Sequence, residues 1–341
     1  MRGPGSRPRG RLRRSDCTGP GIVRRRRGGG FSYLDADGGR VEDEDTLARI
    51  RELAIPPAWR EVWICGDPFG HIQATGLDEA GRKQYLYHER WHLWAAQRKF
   101  ESMREFASAL PRLRRAVKKD LAREGMPRER ALACAVRLLD LGFFRIGGEE
   151  YAEAHESYGV ATVQREHVSI EGGEVVFDFP AKSGQRRIQA IRDPGVKSAV
   201  EAMRRRRSGP GDLLVFREDG AWHDVRSEDV NAYLQAKAGE EFSAKDFRTW
   251  HGTVLAAVEL AREESPTSKG SRERAIRAAI GRVAERLGNT PAVCRSSYID
   301  PRVLDRFRDG KTIELPNLAP DDTVTPRQQG LLERKVLDLI L

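Results

Sequence analysis

Apolar and polar residues alternate along this chain with two different periods, and the switch from one to the other marks its organisation. From residue 21 the spacing is short. RRRRGGGFSYLDADGGRV (24–41) sets aromatic residues beside polar turn residues, which predicts a strand and a Gly-rich turn. EDTLARIRELAI reads as a brief amphipathic helix stopped by Pro56 and Pro57. EVWICGD and GHIQATGLDEAGRKQYLYH predict strands of a small antiparallel sheet joined by Asp/Gly turns. Within QYLYH the alternation puts Gln84 and Leu86 on one face, Tyr85 and Tyr87 on the other.

Near residue 96 the period lengthens, and a domain boundary is expected there. FESMREFASAL, PRLRRAVKKDLAREG and MPRERALACAVRLLDLG space apolar residues by three and four, with Pro111 or Pro127 at a helix start and Gly142 just past an end. Residues 167–192 break the run: β-rich segments separated by EGG and KSG predict a three-stranded meander with Lys182 at its second turn. Helices return after residue 225 in SEDVNAYLQAKAG, SAKDFRTWHGTVLAAVELAREE and SRERAIRAAIGRVAERLG, the last closed by Gly288. TPAVCRSSY, PRVLDRFRDG and the amphipathic TPRQQGLLERKVLDLIL complete the chain. The expected class is α+β: a small antiparallel-sheet domain over 21–96 and a larger, mainly helical one over 97–341.

Composition adds exclusions. With 341 residues, 39% hydrophobic and 33% charged, the chain has the make-up of an ordinary soluble protein long enough for two domains. It offers no apolar stretch of membrane-spanning length and no secretory leader, so a cytoplasmic location is expected. Cys17, Cys65, Cys134 and Cys294 lie far apart and form no C-x-x-C pair, which argues against a disulfide framework or zinc ribbon. Residues 1–30 hold ten arginines and one acid, Asp16, and so account for the whole net charge of +9. The rest is neutral, so a nucleic-acid surface there requires charges gathered onto one face. Residues 1–20, rich in Pro, Gly and Arg, read as a disordered tail that adds at most sequence-blind affinity for phosphates.

Taken singly, the chemistry-bearing side chains have bland readings. Tyr298 in CRSSYIDPRVLD is a packed ring, Lys182 a solvated turn residue, and Asn289 an N-cap for the next helix. Arg145 pairs with Glu149 and Arg248 with Asp246, contacts worth little at a surface. His251, one turn after Arg248, is local packing or a nucleic-acid contact. Tyr85 and Tyr87, beside Arg82 and Lys83, are packing rings or a platform for nucleic acid.

LLDLGFFRIGGEEYAEAHESYGVATVQREHV, FDFPAKSGQ, KDFRTWHGTVLAA and LGNTPAVCRSSYIDPRV occur in that order, and together they resemble the small type IB DNA topoisomerases of bacterial and viral kind. The likeness runs from about residue 21, where GIVRRRRGGGFSYLD resembles the family's opening, through IPPAWREVWICGDPFGHIQATGLDEAGRKQYLYH, to near the end of the chain. It implies a two-domain clamp whose catalytic domain is built like that of the tyrosine recombinases.

The resemblance also implies a site. In this family a tyrosine oxygen attacks a backbone phosphorus, forming a 3′-phosphotyrosyl link and releasing a 5′-hydroxyl, so the strand is resealed without ATP. Tyr298 matches that nucleophile. Arg145 and Arg248 match the two arginines that hold the phosphate in the transition state, Lys182 the general acid, and Lys245 a helper in proton transfer. Viral and eukaryotic members have histidine nine residues before the tyrosine; here the position is Asn289, a neutral donor able to bind the same phosphate oxygen. Gln84, Tyr85, Tyr87 and Tyr151 match residues that lie against the duplex.

The expected partner is double-stranded DNA, with no nucleotide, no cofactor, no required metal, no membrane and a monomeric enzyme working at the nucleoid. No G-x-x-x-x-G-K-[ST] loop and no metal-spaced acid cluster occurs in the sequence. A tyrosine recombinase is the rival enzyme, but its His-x-x-Arg box is replaced here by Lys245-Asp-Phe-Arg248, and its N-terminal domain is usually helical. A DNA-binding relative without activity is the other alternative.

Overall fold

The computed structural model describes residues 11–142, 144–149, 152, 156–181, 184–209, 211–263, 268–316 and 325–341. It is a mixed α/β fold with antiparallel sheets and a mostly helical core, and it divides into two compact units, Met1–Lys99 and Phe100–Leu341. Among the described residues no helix is long and apolar enough to cross a membrane.

The first unit is a five-stranded sheet in the order β2-β1-β3-β4-β5. The strands are β1 (Ile22–Arg27), β2 (Gly30–Leu34), β3 (Arg60–Ile64), β4 (Ile72–Leu77) and β5 (Lys83–Tyr87), and every pairing is antiparallel. Ile50 of helix α1 (Glu44–Glu52) packs with Ile22, Val62, Ile64 and Ala74 into a small core. Asp43 caps α1 by accepting from the Thr46 N–H at 2.8 Å, and the acids of its first turn suit the positive end of the helix dipole.

Two arginine-rich stretches have structural duties here. Arg24 is buried, and its guanidinium donates to the carbonyls of Ile55, Pro56 and Trp59, fixing the turn made by the two prolines. Residues 11–20 belong to the stretch that composition reads as a tail, yet this part is fastened. Arg13 exchanges backbone hydrogen bonds of 2.9 Å with Phe69 and His71, and the Ser15 hydroxyl donates to the Ile72 carbonyl at 2.9 Å. Backbone groups satisfied in this way offset the ordering entropy that a tail cannot repay.

Helix α2 runs Glu89–Leu121 with Pro111 inside it, where the sequence pattern predicted two helices divided at that proline. Proline removes one N–H, the donor to residue 107, and its ring crowds that carbonyl, yet the helix runs on through it. Burial of Phe106, Leu110, Leu113 and Val117 on one stripe holds the helix through the gap.

The second unit collects α3 (Arg128–Gly142), α4 (Pro194–Arg204), α5 (Ser227–Ala238), α6 (Ala244–Ala261), α7 (Lys269–Leu287), α8 (Pro291–Ser297), α9 (Pro301–Arg308) and α10 (Pro326–Ile340) around one large core. The predicted meander is present as β6 (Val168–Glu171), β7 (Glu174–Pro180) and β8 (Arg186–Ile191), in sequential order. A hairpin of β9 (Val215–Glu218) and β10 (Ala221–Asp224) was not expected from the pattern.

A charged cluster ties this core together. Arg114 of α2 makes two forked contacts, to Asp140 of α3 at 2.7 and 2.9 Å and to Glu333 of α10 at 2.6 and 2.8 Å. Arg137 joins Asp140 to Asp193, the residue that caps α4. Arginine suits this place because its planar fork meets two carboxylates in paired geometry.

Candidate active site

The site begins where α7 ends. Gly288 closes the helix in the left-handed conformation, φ 59°, turning the chain back so that the last carbonyls are left without intrahelical donors. Three guanidinium groups from three segments take three successive carbonyls. Arg187 of β8 donates to Arg286 at 2.8 Å, Arg248 of α6 to Leu287 at 2.6 Å, and Arg145, in the loop after α3, to Gly288 at 2.8 Å. The negative end of the helix dipole is suited to holding such a group of like charges together.

Arg145 and Arg248 therefore have partners other than those read from sequence spacing. Glu149 accepts from the backbone and hydroxyl of Ser227, and Asp246 accepts from Ser243 at the start of its own helix. Burial lowers the proton affinity of Arg145, Arg187 and Arg248, and the charge of Arg145 pushes the other two the same way. All three stay cationic at neutral pH. With Gln185 and Gly288 they line a cavity of about 120 Å³.

Asn289 is the next residue along. Its side-chain oxygen accepts from Arg145 at 2.9 Å, and its amide nitrogen lies 3.5 Å from the Leu287 carbonyl. The expected alternative, a helix cap, falls to its neighbour: Thr290 is the N-cap of α8 and accepts from the Val293 N–H. With Pro291 at the first position of α8, the helix start needs nothing from Asn289.

Tyr298 sits at the C-cap of α8, half-buried, with its ring centroid 5.2 Å from the guanidinium carbon of Arg248. A side-chain hydrogen bond joins the two residues. Its backbone is held by α6. A Cβ on Gly252 would meet the Tyr298 carbonyl oxygen at 2.5 Å, so only glycine allows this approach. The hydroxyl of Thr253 donates to the Thr249 carbonyl at 2.9 Å, lies 3.4 Å from the same Tyr298 oxygen and accepts from the Asp300 N–H at 3.0 Å. Asp300 in turn caps α9 and is bound by Arg302 at 2.6 Å.

The structure thus brings Arg145, Arg248, Asn289 and Tyr298 together. Lys182 and Tyr151 lie outside the described residues. Ala181, next to Lys182, donates to the Gln185 carbonyl at 2.7 Å. Lys245 is exposed on the first turn of α6. His251 is buried, 3.8 Å from Asp140, with its pKa pushed down to about 4 chiefly by burial, so it is a neutral core residue without a nucleic-acid face. Sequence spacing gave no sign of Arg187, Gly252 or Thr253, which act through contacts that only the folded chain creates.

In the first unit, Tyr85 and Tyr87 stand on the exposed face of β5 with ring centroids 6.1 Å apart and planes 22° from parallel. Lys83 reaches over the Tyr85 ring at 5.9 Å. Gln84 turns to the other face, where its amide donates to Asp78 at 2.9 Å.

Comparison with known proteins gives the class. Residues 90–312 match the family model for the eukaryotic DNA topoisomerase I catalytic core, and residues 30–78 that for the bacterial DNA topoisomerase IB N-terminal domain. The chain belongs to the type IB DNA topoisomerases, which are isomerases. DNA topoisomerase 1B of Acanthamoeba polyphaga mimivirus is 31% identical over 298 residues, covering 85% of this chain and 88% of that protein. DNA topoisomerase 1B of vaccinia virus (strain Copenhagen) is 21% identical over 247 residues, 71% of this chain and 74% of the viral one. DNA topoisomerase 1 of Schizosaccharomyces pombe is 28% identical over 165 residues, 48% of this chain and 19% of that protein. The likeness is thus to the small enzymes of the family.

Proposed function

We propose that this type IB topoisomerase relaxes supercoiled DNA of either sign through a 3′-phosphotyrosyl intermediate on Tyr298. The observation that carries the assignment is the convergence of Arg145, Arg248 and Asn289 on the end of α7, with the Tyr298 ring against Arg248.

The tyrosine oxygen forms a bond to the scissile phosphorus as the bond to the 5′ oxygen breaks. Negative charge gathers on the non-bridging oxygens, where Arg145 and Arg248 donate paired, charge-assisted hydrogen bonds. Arg145 binds the Gly288 carbonyl and Asn289, and Arg248 the Leu287 carbonyl, so both guanidinium groups are held in place at the end of α7. Asn289 commits its oxygen to Arg145, which orients its NH₂ as the donor. Lys182 protonates the departing 5′ oxygen, a step worth about 10²–10⁴-fold, with Lys245 assisting. Religation runs the same steps backward, so the phosphodiester energy is conserved in the covalent link.

Around this site the two units act as a clamp, a small N-terminal DNA-holding domain and a catalytic domain of tyrosine-recombinase type. Tyr85, Tyr87, Gln84 and Tyr151 lie against the duplex, and the hairpin bearing Lys182 enters the minor groove. While the nick is open the downstream duplex swivels, driven by its own torsion. The enzyme works as a monomer at the nucleoid and needs no nucleotide or metal. Supercoiled plasmid incubated in EDTA without ATP tests this: a ladder of topoisomers that Tyr298→Phe abolishes is the expected result. Site-specific strand exchange, or binding without relaxation, would contradict it.

A further inference from the structure

Arg187 holds none of the roles proposed for Arg145, Arg248, Asn289 and Tyr298, yet it joins three elements of the site at once. It lies on β8, five residues after Lys182, and is half-buried. Its guanidinium donates to the Arg286 carbonyl at 2.8 Å, to the Gly142 carbonyl at 3.3 Å and to the Gln189 side-chain oxygen at 3.2 Å. The first carbonyl belongs to the last turn of α7 and the second to the last residue of α3. Helix ends present carbonyls without intrahelical donors, and a guanidinium is the one side chain with enough fixed donors to join two such ends.

Each of those two helix ends leads directly into a phosphate-binding residue. Arg145 comes three residues after Gly142, and Asn289 three residues after Arg286. Arg145 then closes the circuit by donating to Gly288 and to Asn289. Phe144 anchors the same loop to the meander, edge-on to Phe177 at 5.1 Å and stacked with Phe179 at 6.1 Å. The hairpin, the α3 end and the α7 end therefore meet at Arg187.

We propose that Arg187 is a positioning residue for DNA strand cleavage: it locks the ends of α3 and α7 to β8, so that Arg145 and Asn289 stay in register with each other and with the β7–β8 hairpin. This role rests on Tyr298 being the nucleophile of the site that Arg145 and Asn289 form. Loss of the lock moves phosphate-binding donors by fractions of an ångström, enough to slow an oriented reaction strongly while leaving the duplex bound. Lysine keeps the charge but cannot reproduce the fork.

The test is single-turnover cleavage of duplex DNA by the full chain carrying Arg187→Lys or Arg187→Gln, with duplex affinity and thermal midpoint measured in parallel. Cleavage is expected to fall about tenfold for lysine and about 100-fold for glutamine, the range that misplacement of reacting groups produces. Affinity is expected to change by less than about threefold, and Asn289→Ala to add less than its full effect on the Arg187→Gln background, as coupled residues do. The Lys variant decides the matter if the Gln variant does not fold. Wild-type rates in both, a loss that tracks affinity, or full additivity with Asn289→Ala would overturn the proposal. Tyr298→Phe run alongside separates the two failures. Covalent complexes that persist in Tyr298→Phe remove the site assignment, whereas an inactive Tyr298→Phe beside normal Arg187 variants removes only the role of Arg187.

Discussion

Arg145 and Asn289 lie 144 positions apart in the chain and share a hydrogen bond of 2.9 Å. The amide oxygen accepts from the guanidinium, so in the proposed mechanism the NH₂ group, which also lies 3.5 Å from the Leu287 carbonyl, is the donor to the phosphate. Asn289→Ala removes that donor and also frees Arg145 on one side, and should slow cleavage by about 10²-fold, the cost of one oxyanion donor. Asn289→Asp should be slower still: it gives Arg145 a stronger partner while setting a negative charge against the phosphate. Single-turnover rates at saturating DNA distinguish the two, and an aspartate variant as fast as alanine would refute the assigned orientation.

A second expectation concerns Gly252. The methyl group of Gly252→Ala would sit 2.5 Å from the Tyr298 carbonyl oxygen and 3.2 Å from the Tyr298 Cβ. Either α6 or the turn bearing Tyr298 must shift, a strain of about 1–3 kcal/mol. Cleavage should fall by at least about tenfold even below the melting transition, because the displaced group is the proposed nucleophile. Urea unfolding and cleavage kinetics on the same sample measure both effects.

Thr253 offers a gentler probe of the same contact. Thr253→Val preserves shape but removes the acceptor for the buried Asp300 N–H, at a cost of about 1–3 kcal/mol. Reduced stability with a smaller loss of cleavage than Gly252→Ala is expected from denaturant titration and single-turnover assays.

Much of this was legible in the sequence, for a physical reason. The order of Arg145, Arg248, Asn289 and Tyr298 in recognisable segments pointed to one chemistry, and the meander showed itself through period-two alternation broken by glycine turns. Other features depend on tertiary contacts that local pattern does not carry. Pro111 looked like a helix start because its effect is local, whereas the stripe of Phe106, Leu110 and Leu113 that carries α2 past it is a property of the core. Asn289 looked like a cap because Asn-Thr-Pro fits one, and only the fold reveals that Thr290 takes the duty. Arg187 resembled an ordinary strand residue, since its partners are backbone carbonyls that leave no mark on the sequence.

The buried histidine predicts a pH dependence. In the folded protein His251 titrates at about 4, below the usual 6.5, because burial opposes its charge more than Asp140 favours it. Between these values the unfolded chain binds the extra proton, so stability rises with pH from about 4 to about 6.5 and is progressively lost on acidification. The contribution is on the order of 3 kcal/mol. Asp140, itself held below the usual carboxylate range, loses its share only at lower pH. His251→Phe, which preserves the ring packed against Phe247, should flatten the difference in unfolding free energy between pH 4.5 and 7, as followed by urea titration.

The Arg114 cluster predicts a large stability effect. Arg114→Ala removes the cation shared by Asp140 and Glu333, leaving Arg137 on Asp140 but Glu333 without its guanidinium, and should destabilise the second unit by about 3 kcal/mol. Calorimetry on the full chain measures this.

The decisive test is to trap the enzyme on a duplex whose scissile strand is labelled on the 5′ side of the cut, the part that stays attached through its 3′ end, digest the complex, and sequence the peptide carrying the nucleotide. One modified residue is expected, Tyr298, linked to a DNA 3′ end, with the modification absent in Tyr298→Phe. A link on any other residue, or to a 5′ end, would contradict it.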